Sequence, residues 1–310
     1  MGCLESGHQK NPRPARRAPR GPAAGIAGDI GLAQPRPHTL AIDTHAHIFV
    51  RGLPLAGVRR YTPDYDATLA DYLALLDAHG LRHGVLVQTS FLGTDNSFML
   101  AALAQARGRL RGVAVIDTDT TPAELSDMNL AGVRGIRLNL MGRETPALDS
   151  APWQTLLEAI NALGWHVEVY MPASRLPEAV TPLLAAGCRV VVDHFGRPDP
   201  ALGIADPGFT YLLDQADTQR VWVKLSAPYR IWQPADCAPL GRQATHKLLT
   251  AFPAERLLWG SDWPHTENRD RADYRLACDW LRAWIDDDAT RHIILADTPS
   301  ALFGITGDHP

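Results

Sequence analysis

Eight short runs rich in β-branched residues, separated by stretches of helical periodicity, constrain the fold more than any other feature of this chain. The runs fall at 39–44, 83–88 (HGVLVQ), 111–117 (RGVAVID), 133–139 (VRGIRLN), 166–171 (HVEVYM), 189–194 (RVVVDH), 221–226 (VWVKLS) and 257–261 (LLWGS). Helical stretches at 66–79, 153–163, 174–186 and 239–252 lie between them, and Gly80, Gly132 and Gly164 stand where a helix would stop before a new strand. Such alternation means a parallel sheet, because the crossover helix lets successive strands run the same way. Eight units of this kind close into a (β/α)8 TIM barrel, an α/β fold that occupies roughly 250 residues as one domain. Residues 38–310 are therefore expected to form a single barrel domain. An open doubly wound sheet is the alternative, but no G-x-G-x-x-G turn follows the first run.

Residues 1–37 differ from this body. They are rich in Arg, Pro, Gly and Ala, and six basic residues against Glu5 and Asp29 give a net charge of +4. With −4 for the whole chain, the remainder carries −4 − 4 = −8. The most apolar stretch of the tail, 23–33, is broken by Gly25, Gly28, Asp29 and Gly31, so a disordered extension is expected rather than an export signal. An acidic body argues against nucleic acid as a partner. No run approaches the ~18 apolar residues of a membrane span. Cys3, Cys188, Cys237 and Cys278 form no C-x-x-C motif, so a reducing, cytoplasmic setting is expected. The sequence carries no mark of an oligomeric state.

In a barrel of this type the chemistry sits at the C-terminal strand ends. Strand one ends in Asp43-Thr44-His45-Ala46-His47, and alternate strand residues share a face, so both imidazoles can enter one pocket. Strand six ends in Asp193-His194-Phe195-Gly196-Arg197-Pro198-Asp199 and strand eight in Trp259-Gly260-Ser261-Asp262-Trp263-Pro264-His265. Asp262 facing His45, His47 and His194 reads as a general base or a metal ligand. Other features take a plainer reading: an ion pair for Lys224, a small core residue for Cys188, helix packing for Trp280 and Trp284, and solvated positions for His79, His83, His246, His292 and His309. Ser90 has no G-x-S-x-G context, which argues against a serine hydrolase.

Together these residues resemble the amidohydrolase superfamily, and within it the amidohydrolase 2 type, 2-pyrone-4,6-dicarboxylate lactonase-like branch. The segments carrying the resemblance are DTHAHIF (43–49), RRYTP (59–63), GVRGIRLNLMGR (132–143), GWHVEVY (164–170), VVVDHFGRPD (190–199), KLSAPYR (224–230) and LLWGSDWPH (257–265). They span the barrel from about 39 to 305 and exclude the tail. Binuclear members of the superfamily use a bridging lysine on strand four and a histidine on strand five. Strand four here offers Arg137 and Asn139, and His166 lies at the wrong end of strand five, so a binuclear site is not expected. His45, His47, His194 and Asp262 could bind one zinc, but the resemblance to dicarboxylate lactonases implies no obligatory metal.

Of the 30 basic residues only Lys10, Lys224 and Lys247 are lysine, leaving 27 arginines. Most are consistent with coding bias. Arg137, Arg143, Arg197 and Arg230 fall at the active rim, as does Arg60 beside Tyr61, and suggest a small anionic substrate gripped by guanidinium forks. By resemblance Tyr61, Arg137, Arg143, Tyr170 and Arg230 match substrate-binding positions, with Ser90 or Thr89 as weaker polar contacts. The expected activity is hydrolysis of a carboxylated lactone in aromatic-compound degradation. Asp262 activates water, His45, His47 and His194 polarise the carbonyl, and His265 steers Asp262 or assists proton transfer. Pyrone dicarboxylates, muconolactones, sulfonated muconolactones and sugar-acid lactones stay open as substrates. The competing readings are a metal-dependent decarboxylase of an aromatic or muconate acid, a zinc-dependent lactonase, and a non-catalytic binder of aromatic acids.

Overall fold

The structure is a computed structural model that describes residues 41–306. The expected disordered tail and His309 lie outside them. Eight parallel strands are hydrogen-bonded in the order β1 to β8: β1 Ile42–Ala46, β2 His83–Val87, β3 Leu110–Ala114, β4 Val133–Asn139, β5 His166–Tyr170, β6 Arg189–Val192, β7 Val221–Leu225 and β8 Leu257–Trp259. Eight principal helices alternate with them: α1 Leu69–Ala78, α2 Ser97–Gln105, α3 Pro122–Leu130, α4 Ala151–Ala162, α5 Leu176–Ala185, α6 Pro207–Asp214, α7 Cys237–Ala251 and α8 Tyr274–Trp284. Two short helices follow, α9 Asp288–His292 and α10 Thr298–Phe303. No helix among the described residues is long and apolar enough to cross a membrane.

Local sequence explains where these elements begin and end. Thr68 and Thr121 cap α1 and α3, each in a reciprocal box with the acidic residue three positions on, Asp71 and Glu124. The run expected at 111–117 stops at Ala114 as a strand. Beyond it, the Asn96 amide accepts from Val115 N (3.1 Å) and donates to Val115 O (2.8 Å), replacing the ladder. Similarly, β8 ends at Trp259 rather than 261 because Ser261 N turns to Asp43 Oδ1 at 2.8 Å.

Side chains fill the barrel in two layers. Ile42, Val85, Val87, Val113, Val191, Trp222 and Leu258 form an apolar plug, joined by Leu302 and Phe303 of α10 and by Ile305. The second layer is charged and comprises Arg137, Glu168, Asp193 and Lys224, contributed by β4 to β7 or the residue just past them, all buried. Outside the sheet a larger apolar cluster joins strands and helices, and Trp280, Trp284 and Cys188 belong to it, as the sequence suggested. His83 corrects one expectation: it is buried, not solvated, with Nδ1 at 3.2 Å from Arg109 O. Strand two begins inside the wall, and a residue at its entry end is covered by its neighbours. His79 is partly buried over Leu75 O, whereas His246 and His292 are exposed.

Barrel closure sets the geometry of the site. Ala46 bridges Trp263, just past β8, with His47 N donating to Trp263 O (2.7 Å) and Asp262 N to His45 O (2.8 Å). Asp43, on the outer face of β1, accepts from Ser261 Oγ (2.6 Å) and Tyr274 Oη (3.1 Å), tying β1, the end of β8 and α8 together. The backbones approach so closely that a Cβ at Gly260 would lie 2.5 Å from His45 Cβ and 2.9 Å from His45 N. Gly260→Ala is therefore expected to cost about 1–3 kcal/mol and lower the Tm. Gly57→Ala, which meets nothing within 4 Å, serves as the control. Equal melting of the two variants would contradict this account of closure.

Candidate active site

Because closure joins the ends of β1 and β8, it delivers His45, His47 and Asp262 to one point. Asp262 adopts φ +58, a left-handed conformation costing on the order of 1 kcal/mol for a residue with a Cβ. Its Oδ2 accepts from Tyr229 Oη and from Arg230 Nε, both at 2.6 Å. Its Oδ1 faces the three imidazoles: His47 Nε2 at 3.6 Å, His45 Nε2 at 3.7 Å and His194 Nε2 at 4.0 Å. Neither Asp262 Oδ1 nor His45 Nε2 has a hydrogen-bond partner among the described residues. A buried acceptor and three buried ring nitrogens converging without mutual bonds frame a space for a reacting oxygen.

The far ring nitrogens are held from behind. His47 Nδ1 donates to Val87 O at 2.7 Å, and His194 Nδ1 lies 2.7 Å from Ser226 Oγ. His45 Nδ1 lies 3.0 Å from Lys224 Nζ and 3.4 Å from Asp193 Oδ1. Arg137 grips Asp193 Oδ2 through Nε (3.0 Å) and Nη2 (2.9 Å). The ion pair expected of Lys224 is present, to Glu168 Oε1 and, at 3.5 Å, to Asp193 Oδ1.

This environment separates the protonation states. Burial works against the Asp262 carboxylate, but Arg230 and the neighbouring histidines outweigh it and hold its pKa well below the usual range. Burial, reinforced by Lys224, lowers the His45 pKa to about 3. Burial likewise lowers His194 well below its ordinary value and His265 to about 4. The site at neutral pH is an ionised Asp262 carboxylate beside neutral His45 and His194 imidazoles.

Above this floor lies a solvent-open cavity. His47, His194 and Asp262 line its base, and Tyr61, Ser90, Arg137, Tyr170 and Arg230 reach its wall as the sequence suggested. Arg137 and Arg197 lie over the Tyr170 ring at 5.1 and 5.7 Å. Four residues from the sequence reading stand back from the cavity, His45 among them, fully buried with its Nε2 beside Asp262 Oδ1. Arg143 is exposed and donates to Val58 O at 3.1 Å. Arg197 donates to Arg230 O and lines an adjoining groove. His265 donates its backbone N to Asp262 O at 2.8 Å, but its ring lies behind Tyr229, with Nδ1 3.0 Å from that hydroxyl.

Sequence reasoning missed Tyr229, Ser226, Thr266 and Glu267. Tyr229 and Ser226 lie inside KLSAPYR, but their partners across the barrel are not visible in one segment. Arg60 reaches the wall with Thr89 and Asn139, and no ionic partner for it is found among the described residues. The ligand atoms of His45, His47 and Asp262 lie within 4.8 Å of one another, so these three could hold a metal ion.

The amidohydrolase family matches residues 42–305, nearly all of the described chain. The chain belongs to that family. A Comamonas testosteroni relative named 2-pyrone-4,6-dicarboxylate hydrolase is 36% identical over 278 residues, 85% of this chain and 90% of the relative. A 4-sulfomuconolactone hydrolase from Rhizobium radiobacter is 33% identical over 275 residues, covering 86% and 90%. A Pseudomonas putida structure, described as a candidate 2-pyrone-4,6-dicarboxylic acid hydrolase, is 47% identical with a TM-score of 0.83, covering 87% of this chain and all of that one.

The neutral histidines of this amidohydrolase carry a consequence for stability. Unfolded imidazoles bind protons near pH 6.5, but in the folded protein His45 does so only near 3 and His265 near 4. Their contribution is complete above pH 6.5 and declines as the pH falls, by about 1 kcal/mol per group per unit. Urea unfolding should therefore weaken steadily from pH 6.5 to 4, with a shallower slope in His45→Gln. A flat profile across that window would contradict the burial argument.

Proposed function

We propose that this amidohydrolase hydrolyses a lactone ring bearing anionic groups, with 2-pyrone-4,6-dicarboxylate as the leading substrate. The observation that carries the reading is the pairing of one ionised, partly uncoordinated carboxylate with an arginine-lined cavity. Arg60, Arg137 and Arg230 at the wall, with Tyr61, Ser90 and Tyr170, suit carboxylates presented on a planar ring. A sulfonate in place of one carboxylate would meet the same donors, in keeping with the sulfomuconolactone relative.

In this mechanism Asp262 Oδ1 takes a proton from water as the water oxygen attacks the lactone carbonyl. The negative charge moves to the carbonyl oxygen, where N–H groups of His45 and His194 receive it; one such donor is worth about 3 kcal/mol in the barrier. Collapse breaks the ring C–O bond, and the proton held by Asp262 passes to the departing oxygen. His47 takes a different part from the one expected of it. With its Nδ1–H committed to Val87 O, the ring turns Nε2 toward Asp262 Oδ1, where it suits a hydrogen of the attacking water. Arg230 is shared: a substrate carboxylate that draws it off Asp262 Oδ2 makes Asp262 a stronger base when the site is filled. His265 and Tyr229 orient the same carboxylate from behind.

The residues fit this metal-independent route better than a zinc site. A dication at Asp262 Oδ1 would sit beside the Arg230 guanidinium, and the Lys224 ammonium already contacts the far side of His45. The same charges count against a metal-dependent decarboxylase. Asp262→Asn is expected to lower kcat by about 1,000-fold or more while retaining affinity for the lactone by calorimetry. Substantial turnover by that variant would remove Asp262 as the base.

A further inference from the structure

We infer that Lys224 is a positioning residue that fixes His45 as its Nε2–H tautomer, so that His45 enters the site as a permanent hydrogen-bond donor and not as a metal ligand. An ammonium has three N–H donors and no lone pair. Lys224 Nζ, fully buried, faces three acceptors: Glu168 Oε1, Asp193 Oδ1 at 3.5 Å and His45 Nδ1 at 3.0 Å. The approach to Asp193 Oδ1 is an ion-pair contact and not a formed hydrogen bond, whereas the 3.0 Å contact to His45 is a hydrogen bond that requires a lone pair on Nδ1, because an ammonium can only donate. The ring proton must then be on Nε2, the nitrogen that points at Asp262 Oδ1 and has no hydrogen-bond partner among the described residues.

The opposite tautomer has a poorer set of contacts. It would aim Nδ1–H at Asp193 Oδ1, 3.4 Å away and without a well-formed hydrogen bond, and set a second proton against the nearer ammonium. Asp193 is already committed, with Oδ2 held by Arg137. Glu168 and Asp193 balance Lys224 and Arg137 in charge, so the layer has no need of a cationic His45. A metal ion, by contrast, binds the lone pair of a neutral ring nitrogen. For His45 to supply Nε2 it would have to move its proton to Nδ1, against Lys224. Lys224 thus rejects a metal at one side of the ring and presents a donor to the developing oxyanion at the other. The catalytic meaning rests on the lactonase reading above, but the tautomer does not.

The direct test is a long-range 1H–15N correlation spectrum of the full chain labelled with 15N-histidine, with His45 assigned by its loss in His45→Gln. The expected pattern is a protonated Nε2 and an unprotonated Nδ1; the reverse pattern overturns the inference. The second measurement is zinc binding by equilibrium dialysis, with zinc alone as the probe. Lys224→Met leaves Glu168 and Asp193 without their cation, so Lys224→Met/Glu168→Gln is measured beside it to preserve the folded state. The folded double variant should bind zinc roughly 10- to 100-fold more tightly than the parent. On the lactone, kcat should fall by about 100-fold with little change in KM. Unchanged zinc affinity in the folded double variant would count against Lys224 as the gate. An Nε2–H His45 in an enzyme that opens no lactone would instead overturn the proposed function and leave the tautomer standing.

Discussion

Two carboxylates, an ammonium and a guanidinium buried in one layer across β4 to β7 are the constraint on which the rest of the site depends. Charges taken out of water cost several kcal/mol each unless paired and hydrogen-bonded. Arg137 with Asp193 and Lys224 with Glu168 satisfy that requirement and leave the layer electrically balanced. Burial keeps His45, immediately above, neutral, and the nearby Lys224 charge works in the same direction. Of the four ions in this layer Arg137 also reaches the cavity wall, while Glu168, Asp193 and Lys224 lie beneath it.

The second constraint is conformational. Asp262, His194, Phe195 and Arg197 all have positive φ, each close to where a strand gives way to its loop. Such conformations are unfavourable for residues with a Cβ and persist where the surroundings over-determine them. At Asp262 the surroundings are the His45 carbonyl, Tyr229 and Arg230. At Arg197 they are the His194 carbonyl, accepting from its backbone N at 2.9 Å, and the Arg230 carbonyl, accepting from its guanidinium. These turns bring ring nitrogens from two strand ends to within about 4 Å of a carboxylate oxygen from a third, a juxtaposition regular strand geometry does not supply.

Much of this was legible in the sequence because barrel strands buried on both faces leave uninterrupted Val, Ile and Leu runs, as in RVVV at 189–192. The strand-end motifs followed from the fold, and His45, His47, His194 and Asp262 meet as their positions suggested. Residues whose roles depend on loop paths were harder to read. Arg143 sits six residues past Arg137, yet its guanidinium turns to the Val58 carbonyl in the loop after β1, while Arg60 from that loop reaches the cavity. Nothing periodic encodes such an exchange. Tyr229 was invisible for a related reason: its importance lies in two contacts, to Asp262 and His265, more than thirty residues away.

The central claim is that the residues of this chain open an anionic lactone without help from a metal. Its most direct test is steady-state hydrolysis of 2-pyrone-4,6-dicarboxylate by chelator-treated enzyme, followed by loss of pyrone absorbance, with zinc and iron content measured on the same sample. Full activity at a metal content far below one ion per chain is the predicted result. Activity that disappears on chelation and returns in proportion to added zinc would contradict the account.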